Sequence, residues 1–108
     1  MKAKRDPFGA VADPTRRAIL ELLLEEGPLP AGQIAARFPK VSRPAVSKHL
    51  RVLRDAQLVR AQEVGREWHY TLDMEPLFET YQRWIAPFLP GWEMGLQELK
   101  RHVEKADD

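Results

Sequence analysis

The chain has 108 residues, 44% of them apolar and 31% charged, with a formal net charge of +1 and no cysteine. That length suits one domain with one core, the balance is that of a globular chain and not of a disordered one, and the missing thiols exclude disulfides, thiolate metal sites and redox-sensor cysteines. The N-terminal Met1-Lys2-Ala3-Lys4-Arg5-Asp6-Pro7 has no apolar stretch behind its charges, and no apolar run is longer than that of Leu22-Leu23-Leu24; no secretory leader and no membrane partner are expected, and a cytoplasmic location is.

Asp13-Pro14 opens a helix, with Asp as N-cap and Pro at the first helical position, where its missing N–H costs nothing. Ala18, Ile19, Leu22 and Leu23 recur at helical spacing until Gly27-Pro28 stops the run. A short helix over Ala31 to Phe38 follows, burying Ile34, Ala35 and Phe38, although Pro30 stands where Ser or Thr would cap better; Pro39 closes it. Ser42 caps a third helix that has Pro44 in its first turn and runs to about Ala56.

The period then changes. Leu58 to Val64 and Glu67 to Leu72 read as two strands around a tight Gly65-Arg66 turn. Trp68, Tyr70 and Leu72 share a face, with Trp68 and Tyr70 expected to cover the core. Asp73 caps a further helix, and from Leu77 the apolar residues Phe78, Tyr81, Trp84, Ile85, Phe88, Trp92, Leu96, Leu99 and Val103 follow a helical stripe. Pro87 and Pro90-Gly91 predict a break between Ile85 and Trp92, since a proline inside a helix costs about 3 kcal/mol. The expected fold is mainly α with a small β-hairpin, a winged helix-turn-helix over residues 1–108. It divides into a DNA-binding core and wing (7–72) and C-terminal dimerisation helices (73–106).

The net charge hides an asymmetry. Residues 37–60 hold Arg37, Lys40, Arg43, Lys48, Arg51, Arg54 and Arg60 against Asp55 alone, whereas residues 73–108 hold eight acids and four bases. On a wheel of roughly 100° per residue, Val46, Leu50 and Leu53 of the third helix form one apolar stripe. Arg43, Ser47, Lys48, Arg51 and Arg54 occupy the opposite arc. A solvated helix face usually mixes both signs to gain i,i+4 pairs, whereas on this one only Asp55 is negative. Arg fits guanine edges, Ser reaches base or phosphate, and Lys meets phosphate, so the arc reads as a face for double-stranded DNA. Ser42 and the first N–H groups of the helix add a phosphate site, and Arg60 and Arg66 of the hairpin extend the footprint to the backbone. His49 falls nearer the apolar arc and is expected at the core edge, bonded to the backbone of a neighbouring helix.

Three blocks then carry a family likeness: Ala12-Asp13-Pro14-Thr15-Arg16-Arg17-Ala18-Ile19-Leu20, Ser42-Arg43-Pro44-Ala45-Val46-Ser47-Lys48-His49-Leu50-Arg51-Val52-Leu53, and Leu58-Val59 with Gly65-Arg66 and Tyr70-Thr71-Leu72. Together they closely resemble the ArsR (ArsR/SmtB) family of winged-helix repressors, over about residues 7 to 85. The resemblance implies homodimers paired through the first and last helices, an imperfect palindrome as operator, and blocked transcription; in many members an inducer releases the DNA, and here its identity is open. Metal-sensing members carry cysteines on the helix before the recognition helix, or Asp, His and Glu on the last. The first place here is Gly32-Gln33-Ile34-Ala35-Ala36-Arg37, and the last helices offer only His102 with Glu98 and Glu104. The likeness is to the branch without the cysteine metal site, and neither metal nor cofactor is expected.

A domain this small cannot bury Tyr81, Trp84, Phe88, Trp92, Leu96 and Leu99 against itself. A two-fold partner that pairs this stripe with its own copy, with Phe8 and Val11 from the first helix, would cover it; an apolar effector between Trp84 and Trp92 is a further option. Two rivals are weighed. An enzyme lacks support, because the sequence has no nucleophile elbow, no phosphate-cradling glycine loop, and three histidines (His49, His69 and His102) without ligand spacing. A winged-helix protein–protein module without DNA binding would want an apolar or acidic arc in place of Arg43, Arg51 and Arg54.

Overall fold

A computed structural model describes residues 6–89 together with Gly91 and Arg101. The chain divides into two compact units, residues 1–77 and 78–108. The first opens with a four-residue helix α1, Pro7–Ala10, whose N-cap Asp6 accepts from the Gly9 N–H at 3.0 Å. Phe8 lies on this turn and Val11 is its C-cap, so both precede the helix that starts at Pro14 and do not belong to it. The reason is local: Asp13 is extended, Pro14 has no N–H to continue a helix, and the chain restarts there.

Helix α2, Pro14–Glu26, is capped by Asp13, whose Oδ2 accepts from the Arg16 N–H at 3.0 Å, and ends at Gly27 with φ +80. It buries Ile19, Leu20, Leu22 and Leu23. Strand β1, Leu29–Pro30, runs directly into α3, Ala31–Ala36, which buries Ile34 and ends two residues short of Phe38. Pro30 is the N-cap without a side-chain bond, and pairing with β3 fixes the chain there instead.

Helix α4, Arg43–Asp55, is capped by the Ser42 Oγ, which accepts from the Ala45 N–H at 3.2 Å. Its stripe of Val46, Leu50 and Leu53 joins Ile19, Leu22, Leu23, Ile34, Ala56, Leu58 and Val59 in one buried cluster. The helix closes in a Schellman arrangement: the Gln57 N–H donates to the Arg54 carbonyl at 2.9 Å and the Leu58 N–H to the Leu53 carbonyl at 2.9 Å. Gln57 adopts φ +64, among the described residues the only one besides glycine with a positive value.

Strands β2, Val59–Val64, and β3, Glu67–Leu72, pair antiparallel in register from Val59↔Leu72 to Val64↔Glu67. The positive φ of their turn rests on Gly65 alone, as a II′-like turn requires. The sheet has three strands, in the order β1-β3-β2, because Leu29 pairs with Tyr70 and Pro30 with His69. Proline is tolerated on β1 because that strand is an edge. Tyr70 and Leu72 pack on the core, but Trp68 does not: 49% of it is exposed, since its place next to the turn lies beyond the cluster's rim. Helix α5, Glu75–Trp84, and a 3-10 turn, Ala86–Phe88, complete the described chain. The helix thus stops ahead of Pro87, where the sequence predicts a break; Trp92, Leu96 and Leu99 lie outside the described residues.

Two stability outcomes follow from this packing. Leu50, 2% exposed in the centre of the α4 stripe, should lose about 2–5 kcal/mol on truncation to Ala, read from urea unfolding. Gln57→Gly should gain roughly 0.5–1 kcal/mol by the same measurement, because glycine adopts positive φ without the steric penalty of a Cβ.

Candidate nucleic-acid interface

Burying one side of α4 fixes what the other side offers. With Val46, Leu50 and Leu53 held in the core, Arg43, Ser47, Lys48, Arg51 and Arg54 are all exposed. Among the described residues, none of these four cations takes part in an ion pair. Several arginines elsewhere are engaged. Arg16 and Arg17 donate to backbone carbonyls around the end of α1, Arg37 pairs with Glu26, and Arg60 pairs with Asp73. Among the described residues, the donors of the arc are thus left without an acidic partner. Long side chains lose rotamer entropy on ordering, and phosphate is the partner that best offsets the cost by charge-assisted bonds.

The start of α4 offers less than its sequence predicts. Pro44 has no N–H, the Ala45 N–H is taken by Ser42 Oγ, and the Val46 N–H donates to the Ser42 carbonyl at 3.0 Å. Ser42 itself is exposed and keeps its hydroxyl proton for donation outward. A phosphate at this end would meet that hydroxyl and the Arg43 side chain more than a fan of free amides.

On the wing, Arg66 is exposed in the turn between β2 and β3, with no ion-pair partner among the described residues. Arg60, placed by its sequence at the base of the same footprint, keeps 75% of its side chain exposed while it pairs with Asp73. Its Nε and Nη2 donate to Asp73 Oδ2 at 3.1 and 2.8 Å, while Asp73 Oδ1 accepts from the Glu75 N–H at 3.1 Å. These bonds, first the Arg60 guanidinium and then the Glu75 amide, hold the Asp73 carboxyl below the usual carboxylate range. Arg60 thus fastens the β2 base to the start of α5, and Nη1 takes part in neither bond.

His49 sits at the core edge, its side chain 19% exposed, but its partners are side chains and not the backbone of a neighbouring helix. Nδ1 lies 3.2 Å from Arg16 Nη1 and 3.8 Å from Asp13 Oδ2. Arg16 and Asp13 are the residues that sequence reasoning missed near this face. Asp13 was legible as a cap, but nothing in the apolar pattern shows where a long cationic side chain will bond. Asp13's carboxyl is also lowered, chiefly by the bond from the Arg16 amide and further by the charge of the Arg16 guanidinium.

No group of three or more His, Cys, Asp and Glu side chains among the described residues could hold a metal ion. No described helix is long and apolar enough to cross a membrane.

Residues 11–62, which hold α2, α3, α4 and the start of β2, match the helix-turn-helix domain family. An HTH-type transcriptional regulator of Mycobacterium tuberculosis, Rv2034, is 53% identical over 76 residues, covering 68% of this chain and 69% of its own. The transcriptional repressor SdpR of Bacillus subtilis is 37% identical over 82 residues, covering 76% of this chain and 88% of its own. The crystal structure of an ArsR family transcriptional regulator superposes with a TM-score of 0.67 at 35% identity, over 80% of this chain and 86% of that one.

The Arg60–Asp73 pair gives the interface's supporting frame a pH dependence of definite sign. Asp73 titrates lower folded than the roughly 3.9 of an unfolded aspartate, so its contribution is complete above about pH 5 and disappears as pH falls below about 4. Arg60→Ala should lower the unfolding free energy at pH 7, read from urea unfolding, by under about 1 kcal/mol, as expected for an exposed pair. The gap to wild type should narrow by about pH 3; a gap that stays constant would show that the pair does not act through Asp73's charge.

Proposed function

Because this chain belongs to the ArsR (ArsR/SmtB) family of winged helix-turn-helix transcriptional regulators, a family of DNA-binding proteins and not of enzymes, we propose that it is a homodimeric repressor of a palindromic operator. In this reading α4 lies in the major groove. Arg51, Arg54 and Ser47 face base edges, Arg43, Lys48 and Ser42 face phosphate, and Arg66 rests on the adjacent backbone. One observation carries the reading: the exposed arc of α4 holds four cations and a serine hydroxyl with no acidic partner among the described residues. A protein–protein surface at the same place would be helped by large apolar side chains, and Arg43, Ser47, Lys48, Arg51 and Arg54 supply cations and a hydroxyl instead. The chain has no cysteine, so the cysteine site of the family's metal sensors has no counterpart in it.

The dimer belongs to the same reading. Trp84 and Phe88 are 62% and 75% exposed, and Phe78 and Leu89 also leave much of their surface in water. Large apolar residues clustered in one short stretch are costly in solvent and mark an interface. Trp92, Leu96 and Leu99 continue the proposed stripe by sequence, Tyr81 lies within it, and half-buried Phe8 and Val11 are the proposed contribution from the N-terminal side. A two-fold axis would set two recognition helices about 34–36 Å apart, one turn of DNA, with residues 1–108 acting as a single winged helix-turn-helix domain.

Selection from random duplexes at fixed, stated salt should return a palindrome with half-sites one helical turn apart; recovery of no preferred sequence would defeat the proposal. On the selected duplex, Arg51→Ala should weaken binding by about 1–3 kcal/mol, whereas Lys48→Ala should weaken all duplexes alike and lower the salt slope by about 1. A Trp84→Ser, Phe88→Ser double variant should elute as a monomer on sizing, and a persistent dimer would move the interface elsewhere.

A further inference from the structure

Arg16 stands where three elements of the first unit meet. Its Nε donates to the Ala10 carbonyl at 2.7 Å and its Nη2 to the Gly9 carbonyl at 3.3 Å, closing the C-terminal end of α1. Its own amide is held by Asp13 at the start of α2. The remaining nitrogen, Nη1, reaches His49 Nδ1 on α4 at 3.2 Å. His49 precedes Leu50 of the buried stripe and follows Ser47 and Lys48 of the outward arc.

A guanidinium has five N–H donors, no acceptor, and no neutral form in proteins. The contact to His49 can be a hydrogen bond in one arrangement only: Nδ1 carries the lone pair, and the ring proton sits on Nε2. A proton on Nδ1 would set donor against donor and turn the ring toward Asp13 Oδ2, 3.8 Å away, in competition with that carboxylate's bond to the Arg16 amide. Asp13 and Arg16 are the charged groups that α2 brings to His49, and α1 contributes to the cluster only the backbone carbonyls that Arg16 holds.

We propose that His49 is a positioning residue, which accepts from Arg16 in its neutral Nε2–H form and thereby ties the recognition helix to the α1 end and the α2 cap. It acts through Arg16 and not by touching DNA, and it sets the angle and rotation at which Ser47 and Arg51 are presented. The apolar stripe restrains that rotation by close packing, whose contacts have no direction of their own. A directional bond on the flank of the stripe restrains it further. The proposal rests on the DNA-reading role of α4 and adds what holds that helix in register.

Two measurements test it. Long-range 15N–1H correlation spectra of the full chain at neutral pH should show His49 with its proton on Nε2; a proton on Nδ1 would overturn the tautomer and the link with it. Affinities of wild type, His49→Leu and His49→Asn would then be compared on the selected palindrome and on a random duplex of equal length and salt. His49→Leu should lose roughly ten-fold or more of the ratio between the two, with affinity for the random duplex within about two-fold of wild type. His49→Asn, whose Oδ1 replaces the Nδ1 acceptor, should recover most of that ratio. Circular dichroism at the assay temperature checks that each variant is folded. If wild type selects a palindrome and His49→Leu keeps the full ratio, this proposal alone fails; if wild type selects no duplex, the reading of α4 fails first.

Discussion

What α4 presents to solvent depends on one burial event, the seating of Val46, Leu50 and Leu53 against Ile19, Leu22, Ile34 and Leu58. Those contacts are apolar and without direction, yet the helical repeat makes them decide a polar matter. At 3.6 residues per turn, fixing three residues inside fixes Arg43, Ser47, Lys48, Arg51 and Arg54 outside. The cationic arc is thus a by-product of core packing. Its chemistry can vary with little cost to stability so long as the stripe remains.

Much of this was legible because it rests on period and on caps. Asp13, Ser42 and Gly27 mark helix ends whose side-chain and backbone bonds the structure shows, and the change from helical spacing to alternation at Leu58 locates the hairpin. What was not legible has one common cause: it depends on partners distant in sequence. Strand β1 is two residues long and has no period of its own, so only its pairing with Tyr70 and His69 defines it. Trp68 shares a strand face with Tyr70 and Leu72, and alternation alone assigns all three inward; the rim of the core, a tertiary quantity, leaves Trp68 half outside. Gln57 shows no sign in its residue type that it will take a left-handed backbone.

The charged residues show the same division in sharper form. Composition places the cations in the middle third of the chain, but it cannot separate those retained by the fold from those left for a partner. Arg60 and Arg66 are six residues apart on one hairpin, and they part company: one is held by Asp73, the other stands in the turn. Arg16 and Arg17 likewise look like surface charges in a helical stretch, and both fold back on backbone carbonyls near the end of α1. A basic stretch in sequence is therefore a census of candidates, which pairing geometry then reduces to a working face.

The corner at α1 has a consequence for what the chain tolerates at residue 9. A Cβ placed on Gly9 would run into the carboxylate of Asp6, the group that receives the Gly9 amide. Even a single methyl there would displace the Asp6 side chain that caps the four-residue α1. The same residue's carbonyl is one of the acceptors gripped by Arg16, so the disturbance would not stay local. A change of a single CH₂ would thus reach, through Gly9, the corner where Arg16 holds the end of α1.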